Sequence, residues 1–199
     1  MKHVIKNVRV VYPSLFEKNT YEEDVAKHSY QITCLLDKDS DEAKKLESAL
    51  FKVAKDIFGD KKSPNGKMRY EIVIESIRGD RTKFPFRDGD TEMSSTTMEP
   101  KFPGYYFLKA SNKKLKPIVK LLDGKTDAKA GDVYSGCYCD VHVNIWGKED
   151  SKLRLLHCQL RAVQFKKDGE PYGHIDVVSD DEFEQNEVDL ELSDDDIAF

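Results

Sequence analysis

The sequence predicts a mainly β protein, either a barrel or a sandwich, with one amphipathic helix. Several segments alternate apolar and polar residues, which is the period of two expected of a half-buried strand. A single segment shows helical spacing instead. Because strands and helices do not alternate along the chain, the pattern argues against a parallel α/β sheet.

The first predicted strand covers residues 3–12, where valines alternate with polar residues, and Pro13 is expected to end it. Residues 28–36 alternate in the same way and predict the second strand. The predicted helix then opens with a capping box at Asp39. Its apolar residues recur at helical spacing until Gly59, which is expected to end the helix.

The remaining elements are again predicted as strands. Residues 68–76 alternate and predict a third strand. A long segment rich in turn formers follows, too long for a simple connection. Shorter strands are predicted at 104–110 and 118–122. The last two segments, 134–146 and 153–165, are joined by a short polar connection and predict a hairpin.

The predicted hairpin shows the clearest division into two faces. The face expected to meet the core contains Cys137, Cys139, Val141, Val143, Ile145, Leu156, Cys158, Leu160 and Ala162. The opposite face contains Tyr138, Asp140, His142, Asn144, Trp146, His157, Gln159, Arg161 and Phe165. Rings beside cations suit single-stranded nucleic acid, because bases stack on rings and phosphates pair with Lys or Arg. The alternative is that Trp146 and Tyr138 cover a second small core.

A net charge of −5 conceals an uneven distribution of charge. Ten of the 37 acidic residues lie in 180–199, a segment without Lys or Arg that ends on Phe199, which leaves 27 acidic against 32 basic residues in the body. Such a segment has too few large apolar residues to offset the entropy of ordering, so we expect residues 179–199 to be disordered and residues 1–178 to form one domain. A basic body joined to a polyanion suggests that the body binds another polyanion and that the tail competes for it.

The composition disfavours several other classes of protein. The chain has no run of eighteen apolar residues and no apolar signal core, so we expect a cytoplasmic protein without a membrane span. A chain of this size does not depend on disulfides, and we expect buried thiols at Cys34, Cys137, Cys139 and Cys158. Strand alternation places His142 and His157 opposite these cysteines, which argues against zinc. We predict no metal, no cofactor and no catalytic residue.

Short motifs along the chain resemble a family of small phage-encoded single-stranded DNA-binding proteins, related to the replication protein of short-tailed coliphages. The motifs are residues 7–16 (NVRVVYPSLF), 87–90 (RDGD), 104–107 (GYYF), 134–138 (YSGCY), 163–164 (VQ) and 167–171 (KDGEP), followed by the acidic C-terminus. The resemblance implies a five-stranded OB-fold barrel with extra strands and an added helix. It also implies that the tail mimics DNA and docks replication enzymes in the bacterial host cytoplasm, with Phe199 as the apolar anchor.

We therefore predict a single-stranded DNA-binding protein that coats DNA in phage replication or recombination, largely without sequence preference. The residues predicted to stack on bases are Trp146, Tyr138, Tyr106 and Phe86. Those predicted to meet phosphates are Arg87, Lys109, Lys113, Arg154 and Arg161. Those predicted to dock phage or host replication proteins are Asp194, Asp195, Asp196 and Phe199.

Two alternatives belong to other functional classes. The first is a protein–protein adaptor or nucleic-acid mimic, in which the acidic tail acts and the barrel is a scaffold. The second is a nuclease, which would cleave DNA with a divalent metal. The protein could also form a homodimer, through an edge strand or through exchange of tails, whether it binds DNA or acts as an adaptor.

Overall fold

The computed structural model describes residues 1–20, 24–94 and 97–173. The acidic tail, including Asp194, Asp195, Asp196 and Phe199, lies outside the described residues. Within the described ranges the chain forms strands and helices in the order β1 (Lys2–Asn19), β2 (Ser29–Asp37), α1 (Asp41–Phe58), α2 (Arg69–Ile77), β3 (Phe86–Asp88), β4 (Tyr105–Asn112), β5 (Ile118–Lys120), β6 (Tyr138–Glu149) and β7 (Arg154–Lys167). A single 3₁₀ turn, Val25–Lys27, precedes β2.

Five of the seven strands close into a barrel. The strand order is β3-β4-β2-β1-β6-β7-β5, and β4 also pairs in parallel with β7 through Ser111 and Gln159. That pairing joins the two ends of the five-stranded set, while β3 and β5 lie outside it. β1 pairs with both β2 and β6, and the chain returns to close on β4. The connectivity is that of an OB fold, which confirms the predicted fold class.

β1 is longer than predicted, because Pro13 does not end it. The strand runs for 18 residues and contains register shifts between Ile5 and Val8, Val11 and Ser14, and Ser14 and Asn19. Proline lacks an N–H, so it fits a strand only where the ladder needs no donor. Pro13 lies in the register shift between Val11 and Ser14, where the ladder needs no donor, so the strand continues beyond it.

Helix α1 matches its prediction except at its first turn. The N-cap is Ser40 and not Asp39: the Ala43 amide donates to Ser40 Oγ at 3.2 Å. Gly59 ends the helix with φ +83°, as a residue without Cβ can.

The prediction of a strand at residues 68–76 is wrong, because helix α2 covers most of this segment. The buried side chains are Val73, Ile74 and Ile77, which share one face of a helix and not one face of a strand. The Met68 amide donates to Glu71 Oε2 at 2.9 Å and closes the first turn. The chain therefore has two α-helices within the described ranges, where the sequence predicted one.

The hairpin of β6 and β7 is confirmed, but a bulge in β7 changes which of its residues face the core. Phe165, predicted for the outer face, pairs with Cys139 and packs against the main core. The predicted core residues of β6 are buried, as are Leu156, Cys158 and Leu160 on β7. Arg161 occupies a bulge, since Leu160 pairs with Val143 and Ala162 with His142. The bulge turns Ala162 outward and places Val163, 1% exposed, in the core instead. The four cysteines are buried free thiols.

Candidate nucleic-acid interface

A second apolar cluster lies on the outside of the barrel, across β1, β2 and β4. Val11, Leu35 and Phe107 point outward from these strands, and Phe102 packs over them from the loop between β3 and β4. All are at most 3% exposed. Tyr105 and Tyr172 pack against the cluster and are half-buried. We call this surface, together with Tyr12, the aromatic face.

The rings of the aromatic face form two levels. The Phe102 and Phe107 centroids are 4.9 Å apart, and both rings are buried. Tyr12 lies further out, 6.4 Å from Phe102 and 6.2 Å from Tyr172, and is 46% exposed. The buried rings therefore support outer tyrosine rings that remain open to a ligand.

Tyr12 has a backbone conformation that few residues with a side chain adopt. Its φ is +51°, in the left-handed region. The Tyr12 amide donates to Ser135 Oγ at 2.9 Å, and Pro13 restricts the chain immediately after it. Strained residues of this kind concentrate at binding sites, where surrounding contacts hold them in place.

Tyr172, beyond the end of β7, completes the face from the C-terminal side. Its amide donates to the Ser135 carbonyl at 2.9 Å, and its hydroxyl donates to the Lys101 carbonyl at 3.0 Å. Burial raises the pKa of the Tyr172 phenol, so the ring is neutral and can donate this bond. The segment after β7 is thus part of the site.

Cations lie over the outer rings. Lys101 Nζ is 5.3 Å from the Tyr12 centroid, and the Arg9 guanidinium carbon is 5.6 Å from the Tyr172 centroid. Arg9 Nη2 donates to the Glu170 carbonyl at 2.7 Å. Arg9 Nε is buried and has no acceptor among the described residues, so its N–H group remains an unused hydrogen-bond donor.

Two further cations border the inner rings. The Arg87 guanidinium carbon is 4.7 Å from the Phe107 centroid, and Arg87 also pairs with Glu92. Burial lowers the pKa of Arg87, although a guanidinium stays charged. Lys109 is exposed and follows Phe107 by two residues, so the two side chains lie on the same side of β4.

Three of the residues predicted to bind DNA lie at the aromatic face: Arg87, Lys109 and Tyr138. Tyr138 pairs with Arg9 across β1 and β6, which places its side chain beside the outer cations. Lys167 Nζ lies 4.4 Å from the Tyr138 centroid. These residues come from distant parts of the sequence, and the barrel brings them together.

The other predicted residues lie elsewhere. Phe86 is 4% exposed in the main core, and Tyr106 packs beside it with centroids 5.3 Å apart. Trp146 is 40% exposed and lies 5.4 Å from the His157 ring, at the end of β6 about 26 Å along the strand from Tyr138. The remaining three are cations at other places: Lys113 after β4, Arg161 in the β7 bulge, and Arg154, paired with Glu149 at 2.8 Å.

Most residues of the aromatic face were not among those predicted from the sequence to bind DNA. The missed residues are Arg9, Tyr12, Lys101, Phe102, Tyr105 and Tyr172. Phe102 and Tyr172 lie outside the predicted strands, while Tyr12 and Tyr105 lie at the end and near the start of the strands predicted at 3–12 and 104–110. One signal was available: Tyr12, Phe102 and Tyr172 each adjoin a proline, which fixes the backbone beside an aromatic ring.

Within the described ranges no group of His, Cys, Asp and Glu side chains is arranged to hold a metal ion. In the same part of the chain no helix has the length and apolar character needed to cross a membrane. Four of the residues that cluster on the barrel's outside are aromatic, and cations lie over several of these rings. The chemistry of this surface is therefore stacking and ion pairing.

Sequence comparison finds relatives over almost the whole chain. The model of a family described as "Enterobacter phage Enc34, ssDNA-binding protein" matches residues 1–194. The protein p50 of Acyrthosiphon pisum secondary endosymbiont phage 1 is 29% identical over 185 residues, which is 92% of this chain and 93% of p50.

Two solved structures have a similar fold. The single-stranded DNA-binding protein from bacteriophage Enc34, in complex with ssDNA, matches with a TM-score of 0.62 and 21% identity, covering 86% of this chain and 89% of that one. The single-stranded DNA-binding protein gp2.5 of bacteriophage T7 matches with a TM-score of 0.54 and 10% identity, covering 94% and 99%. Because the family model matches nearly every residue, the chain belongs to the family of the Enterobacter phage Enc34 ssDNA-binding protein.

Proposed function

We propose that this protein binds single-stranded DNA on the aromatic face and coats phage DNA during replication or recombination in the host cytoplasm. The observation that carries the proposal is the exposed Tyr12 ring, supported by buried rings and bordered by Arg9 and Lys101. The surface over the second and third barrel strands, here β2 and β4, is where OB folds bind oligonucleotides. Family membership supports the same ligand.

The proposed binding is largely independent of sequence. Every base has a flat face, so stacking on a tyrosine contributes about 1–3 kcal/mol whichever base is present. Lys101, Lys109 and Arg9 would pair with phosphates, which are the same at every nucleotide. The buried Arg9 Nε, which lacks an acceptor, would gain one from a phosphate oxygen after a small shift.

We also propose that the acidic tail competes with DNA and docks replication proteins through Asp194 to Asp196 and Phe199. The described chain ends at Gly173, one residue after a ring of the aromatic face, and the acidic tail begins six residues later, so it is tethered close to the surface for which it would compete. The 26 residues after Gly173 span up to about 86 Å when extended. A tethered polyanion of that reach is present at an effective concentration in the millimolar range.

The location of the DNA is tested by fluorescence anisotropy of a labelled oligo-dT. We expect Tyr12→Ala to weaken binding by 1–3 kcal/mol, about five- to 150-fold, because it removes a stacking ring. Trp146→Ala is the matched control, since Trp146 is an exposed ring at the far end of β6. The opposite result, with Trp146→Ala weak and Tyr12→Ala unchanged, would move the site to the β6–β7 surface.

Binding itself is tested in the same assay. No binding of oligo-dT at micromolar protein, by the full chain or by a variant ending at Gly173, would reject the proposed function. The protein–protein adaptor would then be the better explanation, and a pull-down with the isolated tail peptide would test it.

A further inference from the structure

The loop of residues 89–104, between β3 and β4, carries Lys101 and Phe102 to the aromatic face. The start of this loop is held by one lysine, and a carboxylate that this lysine contacts also binds the end of the loop. Lys38 directly follows β2, and its Nζ is 2.6 Å from Asp88 Oδ1 and 2.6 Å from Asp90 Oδ2. The same ammonium lies 5.3 Å from the Tyr106 centroid. Its donors are therefore directed at two carboxylates and a ring.

The carboxylates of Asp88 and Asp90 also accept hydrogen bonds from backbone amides of the loop. Asp90 Oδ1 accepts from the Gly104 amide at 2.7 Å, which connects the start of the loop to its end. Asp88 Oδ1 accepts from the Asp90 amide at 3.0 Å and fixes the turn between them. Lys38, Asp88, Asp90 and the Gly104 amide thus form one connected network, which we call the loop clamp.

The turn held by the clamp is also the surface on which Phe102 packs. The Gly89 amide donates to the Tyr105 carbonyl at 2.8 Å, and the Phe102 amide donates to the Gly89 carbonyl at 3.4 Å. A Cβ on Gly89 would lie 2.6 Å from the Tyr105 oxygen and 2.7 Å from Phe102 Cβ, so no side chain fits. The position of Phe102, and of Lys101 before it, follows from the geometry of this turn.

We propose that Lys38 is a positioning residue for DNA binding: through Asp88 and Asp90 it holds the start of the loop against Gly104 at its end, so that Lys101 and Phe102 complete the aromatic face. The proposal rests on the proposed function and deepens it. Lys38 also neutralises two carboxylates close to the path of the phosphates. The direction of the pKa shifts agrees, since hydrogen bonding to Lys38 lowers the pKa of Asp90, and hydrogen bonds to Asp88 and Asp90 raise that of Lys38.

The variant Asp90→Asn distinguishes the clamp from simple electrostatics. Asp90 could instead act only by repelling DNA, or only by pairing with Lys38 and so keeping it from a phosphate. In either case, Asp90→Asn would tighten the binding of oligo-dT. The clamp predicts the opposite sign: Asp90→Asn weakens oligo-dT binding by about tenfold, the order expected for loss of one stacking contact. Tighter binding by Asp90→Asn would overturn the proposal.

Variants at Lys38 complete the experiment. Lys38→Met is expected to weaken binding as Asp90→Asn does, and the double variant to be no weaker than either single one, because all break one network. Lys38→Arg is expected to restore binding, since a guanidinium can bridge two carboxylates. The control is Lys67→Met, which removes one charge and an ion pair with Glu75 at 2.7 Å beside α2. Equal losses in Lys67→Met and Lys38→Met would overturn the proposal.

A measurement without DNA separates this proposal from the proposed function. Amide hydrogen exchange at Gly104 is expected to be faster in Lys38→Met than in the wild-type chain and unchanged in Lys67→Met. If the wild type bound no DNA, the proposed function would fail whatever the exchange result. If the wild type bound DNA and Gly104 exchanged equally in all variants, the clamp alone would fail.

Discussion

Tyr12 combines an exposed aromatic ring with a backbone conformation that costs stability. Its ring is the most exposed one of the aromatic face, and its backbone has φ +51°. A side chain with Cβ is disfavoured in this region by about 1–2 kcal/mol. The bond from the Tyr12 amide to Ser135 holds the residue there. We infer that the protein retains this strain because it presents the ring outward.

The strain at Tyr12 predicts an unusual order of stabilities. In an ordinary strand position alanine is more favourable than glycine by about 0.5–1 kcal/mol. At position 12 we expect the reverse, with Tyr12→Gly more stable than Tyr12→Ala by about 1 kcal/mol, because glycine adopts positive φ freely. Urea unfolding of both variants measures the difference. Greater stability of Tyr12→Ala would show that the backbone there is unstrained.

Single residues also show which of the predicted DNA-binding residues lie at the aromatic face. Arg87, Lys109 and Tyr138 were predicted to bind DNA and lie at the aromatic face. Phe86 was predicted too, but an aromatic residue in so short a strand fits either side of a sheet, and only the packing shows that it lies inside. The periodicity of the strands could not place Tyr172, because it joins the face through contacts with Ser135 and Lys101, which are distant in sequence.

At the scale of the elements, periodicity decided most assignments correctly. The barrel strands β2, β4, β6 and β7 and helix α1 were predicted near their observed positions. Helix α2 was missed because Tyr70, Ile72 and Ile74 alternate like a strand, while Val73, Ile74 and Ile77 also fit a helix. In a segment of nine residues the two periods overlap, and packing against α1 selects the helix.

The helical assignment of α2 predicts different costs for two neighbouring isoleucines. Ile74 is 2% exposed, so Ile74→Ala should lower the free energy of unfolding by about 2–5 kcal/mol. Ile72 is only half-buried, and we expect Ile72→Ala to cost clearly less. Urea denaturation compares the two variants. Equal costs would indicate that both side chains share one buried face, as they would in a strand.

At the scale of the whole molecule, charge separates a basic body from an acidic tail. The cations at the aromatic face come from β1, β3, β4 and the 89–104 loop, and only the closed barrel places them on one side. The excess of positive charge in the body was visible in the sequence, but its location was not. That location depends on which strands pair, which composition does not encode.

This arrangement predicts how salt and the tail act together. With phosphates paired at Arg9, Lys101 and Lys109, log affinity should fall with log salt at a slope of about −2. A variant ending at Gly173 should bind oligo-dT more tightly than the full chain at low salt, and the difference should shrink as salt screens the tail. Equal affinities of the two chains at low salt would reject competition by the tail.

The position of Tyr172 has a consequence for the newly made protein. Residues 1–167 include every strand of the barrel, yet the aromatic face still lacks the ring that contacts Tyr12 and supports Lys101. The barrel strands therefore emerge from the ribosome before the ring that completes the face. The acidic segment follows soon after Tyr172, so under the proposed competition the completed face emerges with its competing tail close behind.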